Sequence, residues 1–221
     1  MGTHRLMCCV LHALPPYERG KPLAFWLGAF FCLTATPLAY AAAPTHPTSA
    51  ASAPPKAHSL SLKEKITQTE QALATEQDDQ KAQALIKKAE TLRLYTVQNS
   101  GRLLLSEAQE AIQKGHTDEA ERALSAALTL QPDNAFLRRQ RAAIRFIGND
   151  LTGTVEDLQV ALVHDPGDAQ SWDLLARTQE HLHHPHQALH AYTEALTHAP
   201  LLPNGQKRYQ QLEQRANGTP D

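Results

Sequence analysis

Cysteine is scarce and confined to one end: Cys8, Cys9 and Cys32 are the only three in 221 residues. Everything after position 32 is thiol-free, which excludes a disulfide framework, a thiolate zinc site and a cysteine nucleophile from the body of the chain. Charge of either sign is not in excess, with 21 Lys and Arg against 23 Asp and Glu for a net of −2. No basic field exists to hold a polyanion, so nucleic acid is not an expected partner. Catalytic patterns are missing too: there is no phosphate-cradling glycine loop, no G-x-S-x-G elbow and no H-E-x-x-H frame. With ten glycines and no convincing strand, the chain has few places for a small-molecule pocket, and neither an enzyme nor a cofactor is expected. At 24.3 kDa, 42% hydrophobic and 5% aromatic, there is material for one modest domain plus appendages.

The longest apolar run is 11 residues, positions 23–33 (LAFWLGAFFCL). Arg19 and Lys21 precede it, and Pro37 and the small-residue triplet Ala39-Tyr40-Ala41 follow. That layout predicts a secretory signal peptide over residues 1–41, cleaved after Ala41, and an exported, periplasmic or otherwise extracytoplasmic protein. Spanning a bilayer takes about 20 residues, so an uncleaved inner-membrane anchor is the alternative and the expected membrane contact if the signal is retained. A start at Met7 would shorten the long leading segment. The residues before Cys32, Ala29-Phe30-Phe31, do not make a lipoprotein signal, and Leu6 stands where myristoylation needs Ser or Thr. Removing Arg5, Glu18, Arg19 and Lys21 leaves 18 basic and 22 acidic residues.

Residues 42–57 are rich in Pro, Ala, Ser and Thr. They have too little apolar surface to order themselves and are expected to form a semi-rigid linker. Between positions 56 and 100 there is neither glycine nor proline, and helix formers dominate. Leu62, Ile66, Thr69 and Leu73 form one apolar stripe, and Leu85, Ala89, Leu92 and Tyr95 form another in a different phase. The expectation for 58–100 is a helical hairpin broken near Gln77-Asp78-Asp79, or a coiled-coil segment, which either extends the following domain or self-associates through residues 59–98.

Beyond Gly101 the chain repeats itself. Pro132, Pro166 and Pro200 are spaced by 34 residues and close the similar words ALSAALTLQP, DLQVALVHDP and AYTEALTHAP. Ala120, Leu124 and Ala127 recur as Thr154, Leu158 and Ala161 and again as Ala188, Tyr192 and Ala195. This small-large-small face lets helices pack closely. Ala108, Ala142 and Ala176 mark the preceding helix of each unit, and Trp172 and Leu175 join the last. The pattern resembles the tetratricopeptide repeat (TPR) family, whose 34-residue unit is a pair of helices, A and B.

The third unit matches best, through Trp172, Leu175, Ala176, Ala188, Tyr192, Ala195 and Pro200; Gln179 misses the tyrosine slot. The first matches through Leu104, Ala108, Gly115, Ala120, Leu124, Ala127 and Pro132. The resemblance implies an all-α TPR-type solenoid: a leading hairpin, three helix-turn-helix units at 101–134, 135–168 and 169–202, and a polar-faced capping helix with a tail at 201–221. In the second unit, strict alignment puts Arg138, Arg141 and Arg145 into three large apolar slots. Burying three arginines is unfavourable. A one-residue slip is therefore expected there, moving Leu137 and Ile144 into the slots and Gly148 to the place of Gly115.

By the family's geometry the A helices line a concave groove for a protein or peptide. Its expected residues are Arg102, Leu105, Gln109 and Ile112, then Arg138, Ala142 and Arg145 in the slipped register, then Gln170, Asp173, Arg177 and Glu180. Arginines beside apolar residues suit a partner's carboxylate; pairing with Glu107, Glu110, Asp173 and Glu180 as a solvated face is the plainer reading. The asparagine-containing carboxylate clamp of chaperone-binding TPR domains is missing. The resemblance implies an adaptor or scaffold in an envelope-associated complex. A different reading comes from six histidines in the last repeat, His181, His183, His184, His186, His190 and His198. His186 and His190, at i and i+4, with His183, are the candidate ligands of a metal-binding or metal-sensing module. As a plainer reading these histidines are polar filler around the Pro185 turn, and no resident metal is expected.

Overall fold

The computed structural model describes residues 59–218; the expected signal peptide, linker and last three residues lie outside them. Nine helices and no strand make up the described residues. A leading pair, α1 (Leu62–Thr75) and α2 (Asp79–Tyr95), is separated by the three residues 76–78. Ser61 opens α1 with a reciprocal capping box, its hydroxyl accepting from Glu64 N while the Glu64 carboxylate accepts from Ser61 N. Asp78 opens α2 by accepting from Lys81 N at 2.9 Å. The face α1 buries is Ile66, Thr69 and Leu73. On α2 the buried residues are Ala82, Ala89 and Arg93, and Tyr95 is exposed. The expected stripe holds at Ala89, which is buried, and at Leu85, which packs beside Leu73 and Ala82, and fails at Tyr95, because the buried Arg93 is invisible to an apolar count.

Three helix pairs follow, α3 (Asn99–Gln113) with α4 (Thr117–Leu130), α5 (Ala135–Ile147) with α6 (Leu151–His164), and α7 (Ala169–His181) with α8 (Pro185–His198); α9 (Gly205–Asn217) then caps the last pair. Each pair packs internally, and the second helix of one packs on the first of the next. Ala108, Ala120, Leu124, Ala127, Ala142, Leu158, Ala161, Ala176, Ala188, Tyr192 and Ala195 are all buried at these seams. Trp172 and Leu175 are half-buried against the last one, whereas Pro132, Pro166 and Pro200 are exposed in the turns between repeats. Their role is conformational: proline cannot continue the preceding helix. Leu212 of α9 is buried and Tyr209 packs beside it, closing the last repeat.

The one-residue slip is absent from the middle repeat. The turn between helices A and B places Gly115, Asn149 and His183 at φ 78°, 62° and 58°, so the left-handed position recurs at strict 34-residue intervals. Asn149, not Gly148, is the counterpart of Gly115, and asparagine tolerates that conformation. Helix B starts at Thr117, Leu151 and Pro185 with the same period.

What makes the strict register affordable is Asp157. It is 1% exposed on α6, at the position of Ala123 and Ala191 in the other repeats. Arg138 donates to it at 3.0 Å, Arg141 at 2.6 and 2.7 Å, and Arg145 at 3.1 Å. Arg145 also donates to Glu121 (2.7 Å) and Arg141 to Ser125 (3.1 Å). The three guanidiniums reach in from partly exposed stems rather than being sealed inside. Burial raises the Asp157 pKa, but hydrogen bonds from Arg141 and Arg138 outweigh it and hold the carboxyl below its ordinary value. An ionic centre thus replaces the apolar filling that Leu104 and Trp172 help to give the repeats on either side.

Candidate functional site

Helices α5 and α7 present one face to a cavity of about 630 Å³. Gln140 and Ala143 come from α5, Gln170, Asp173, Leu174 and Arg177 from α7, Tyr192 from α8 and Arg208 from α9. The lining mixes apolar side chains with polar and charged ones, as ligand-binding clefts do. Arg177 is the exposed cation, its side chain 56% accessible, and it pairs with Asp173 at 2.8 Å. Arg208 also pairs with Asp173 and, at 2.8 Å, with Glu180; its guanidinium lies 4.6 Å from the Tyr192 ring centre. Arg215 holds the other Glu180 oxygen at 2.7 Å. The capping helix therefore supplies one arginine, Arg208, to the cleft, while Arg215 braces Glu180.

Of the groove residues expected from sequence, Gln170, Asp173 and Arg177 line this cavity. Arg138 and Arg145 do not: strict register turns both toward Asp157. Arg102 sits in the first repeat, donating from Nε to Val97 O at 2.8 Å and lying 5.6 Å from the Tyr95 ring centre. Gln109 is exposed on the same helix, while Leu105 is buried in the first repeat's core. Glu110 is paired with Lys114 at 2.7 Å.

The leading hairpin forms another wall. Gln83 and Ile86 of α2 border the cavity, because the hairpin does not extend the stack but lies along the turns that join successive repeats. At one end, Thr96 O accepts from the side chains of Gln131 and Asn134 (3.1 and 3.2 Å). In the middle, Arg93 donates to Asp165 at 2.7 Å and pairs with Glu70 of α1. At the other end, Leu73 and Ala82 pack with Ala169 and Ala199, beside Ile86 and Leu202. A Cβ at Gly167 would meet the carboxylate end of the Glu70 side chain, which would have to shift to admit it.

The residue that joins hairpin to groove is Arg139, one position from the expected Arg138. It is 4% exposed and donates to Glu90 of α2 at 2.5 Å and to Gln170 at 2.8 Å, with Asp168 3.3 Å from its Nε. Together Glu70, Glu90, Asp165 and Asp168 surround two guanidiniums, Arg93 and Arg139. Burial and the nearby Asp165 push the Glu70 pKa up to about 7 despite the Arg93 charge. Asp168 is driven up by burial and more strongly down by Arg139 and Arg93, ending below its ordinary value. Sequence reasoning missed Arg93, Arg139 and Arg208, and the strict 34-residue count alone would have put Arg139 opposite Asp173.

His183, His186 and His190 are exposed, and the His190 ring meets Trp172 edge-on at 6.5 Å. Among the described residues no cluster of three or more His, Cys, Asp or Glu side chains is placed to hold a metal ion. Nor is any helix there long and apolar enough to cross a membrane.

Solved structures with the same architecture are TPR domains. The first TPR domain of Spaghetti (RPAP3), determined with the HSP90 peptide SRMEEVD, superposes with a TM-score of 0.51 at 16% identity, over 53% of this chain and 93% of that one. The first TPR domain of human RPAP3 gives 0.50 at 16%, over 53% and 92%. The Sgt2 TPR domain from Aspergillus fumigatus gives 0.50 at 21%, over 56% and 87%. No protein-family model and no curated protein sequence matches the chain. The fold is that of an all-α tetratricopeptide-repeat solenoid. It comprises three repeats, a leading hairpin and a capping helix.

Proposed function

We propose that this protein is a non-enzymatic adaptor that holds a protein or peptide partner in the cleft between α5, α7 and α9. The observation that carries this reading is the cleft itself, lined by Ala143, Leu174 and Tyr192 together with the polar groups Gln140, Gln170 and Arg177. Arginine is a side chain that anchors partners effectively, and Arg177 is the exposed one here. A peptide bound to one of the similar TPR domains supports the same use of the fold. The segment at positions 19–41 supports export, and with it a place in an envelope-associated complex; an uncleaved signal would add a membrane anchor. Self-association through residues 59–98 would require the hairpin to leave its seat on the repeats, and sedimentation of the full chain reads it directly.

The test is site-specific photo-crosslinking in the full chain, with the reactive group at Ala143 or Gln140 and a control at exposed Thr193 on α8. A defined partner captured from the first two positions and lost with Arg177→Glu is the expected result. Equal capture at Thr193, or none at the cleft, removes the reading.

A further inference from the structure

One wall of the cleft is the chain's own hairpin. Ile86 of α2 packs against the cluster containing Ala169 and Leu202, and Glu90, one helical turn on, takes up Arg139. These two side chains are at i and i+4 and so share one face of α2. Arg139 is the cation that α5 directs toward the cavity, and its exposed surface is closed off by the chain's own glutamate.

From this the geometry points to an amphipathic helix as the partner, carrying an aliphatic side chain and, four residues later, a carboxylate, which binds by displacing α2 from the cleft rim. The inference rests on the cleft being the partner site and specifies both the ligand class and its regulation. Charge complementarity carries it. A second helix offering the same pair meets the apolar seat at Ala169 and Leu202 and the guanidinium of Arg139, for which a carboxylate is the charge-matched acceptor.

The hairpin is held at a seat that carries an excess of negative charge. Its seat joins a small apolar cluster, two alanines of the repeat turns among it, to an ionic centre with four carboxylates on two guanidiniums. Carboxylate crowding weakens such a centre, because like charges in a partly dry site raise one another's energy. On displacement Arg139 exchanges one carboxylate for another while Arg93 withdraws from Asp165 and Asp168, and the affinity measured for the partner is lowered by the fraction of molecules in which the rim is closed.

The experiment uses the full chain and a labelled synthetic peptide of residues 79–95, read by fluorescence anisotropy, with hydrogen exchange across α1 and α2 as the second readout. In the Ile86→Asp/Glu90→Lys variant, exchange of both hairpin helices is expected to accelerate, and the wild-type peptide to bind at least tenfold more tightly than it binds the unaltered chain. Adding Arg139→Glu should reverse that gain by at least tenfold, and a peptide carrying Glu90→Arg should restore it on the Arg139→Glu background. The milder Glu90→Gln variant is expected to show the same direction with the repeats fully protected. Slow exchange of α1 and α2 in both loosened variants overturns the proposal, as does fast exchange without peptide binding. In the latter case, a partner that still crosslinks at Ala143 keeps the adaptor reading intact while the displacement falls.

Discussion

Two of the ionic centres in this solenoid are built in opposite ways. Inside the middle repeat, three guanidiniums converge on the single carboxylate of Asp157, with Glu121 and Asp150 reaching Arg145 from the edge. Between hairpin and repeats, four carboxylates share Arg93 and Arg139. The first centre joins α5 to α6 within one repeat, and Glu121 ties it to α4 of the repeat before. Residues from α1, α2, α5 and the α6–α7 turn meet in the second, so breaking it separates a whole hairpin while leaving the repeats paired. Charge balance follows the same division: the centre that must hold is fully compensated, and the one at the movable seam carries an excess of negative charge.

The largest effect is expected from Asp157→Ala, which strands three guanidiniums in the repeat interior. Breaking a buried pair by removing one partner costs about 3–5 kcal/mol, so thermal melting should shift sharply downward or cooperativity be lost in circular dichroism. Replacing the whole centre is a sharper test. Arg138→Leu, Arg141→Leu, Arg145→Ala and Asp157→Ala together copy the apolar character of the flanking repeats, and stability should recover to wild type or exceed it by about 1–4 kcal/mol. If the fourfold variant is as unstable as the single one, the centre is doing more than filling space.

Next in size is Arg93→Gln. It leaves Glu70, Asp165 and Asp168 facing one another, and a local loss of about 3 kcal/mol is expected, seen as faster hydrogen exchange in α1 and α2 with α3–α9 unchanged. Uniform acceleration through all nine helices would mean that hairpin and repeats unfold as one body, and the contrast between the centres would disappear.

The two centres should also fail at different ends of the pH scale. Glu70 is raised from 4.5 to about 7, so its contribution is fully present below pH 4.5 and is lost as pH rises through about 7. Hairpin protection should therefore weaken from pH 5 to pH 8, and Glu70→Gln should flatten that dependence. Asp157 has a lowered pKa; its contribution is present above the ordinary carboxyl value of 3.8 and disappears as acid protonates the folded form. Asp168 is lowered as well, so strong acid loosens the seam too. A hairpin whose exchange is flat from pH 5 to pH 8 in the unaltered chain would remove Glu70 from this account.

At the small end stands Lys114→Ala. The Lys114–Glu110 pair is exposed on α3, and solvent screening leaves such pairs with little net effect. No measurable change in melting temperature is expected, which calibrates the ionic centres against an ordinary surface pair.

Much of the architecture was legible in the chain because proline positions and small-large-small triplets recur at a fixed interval, and repetition averages out local noise. Ser61 and Asp78 mark the starts of the two hairpin helices through capping chemistry that depends only on neighbours in sequence. The middle repeat misled for a definite reason: arginine in a large apolar slot is unfavourable when considered alone, and its acceptor lies on the following helix, 12 to 19 residues away. An aspartate standing where both sibling repeats have alanine was the available signal. The seat of the hairpin left no such trace, since Arg93 and Asp165 are separated by 72 residues and no local pattern links them.

Periodicity, helix caps and turn residues act over a few positions, so the number of repeats, their 34-residue pitch and the alanine-rich seams were set by the order of residues alone. Which charges meet was decided only by the tertiary structure. A guanidinium's energy depends on the carboxylates within a few ångströms of it, and folding brings those together from helices that the linear chain keeps apart.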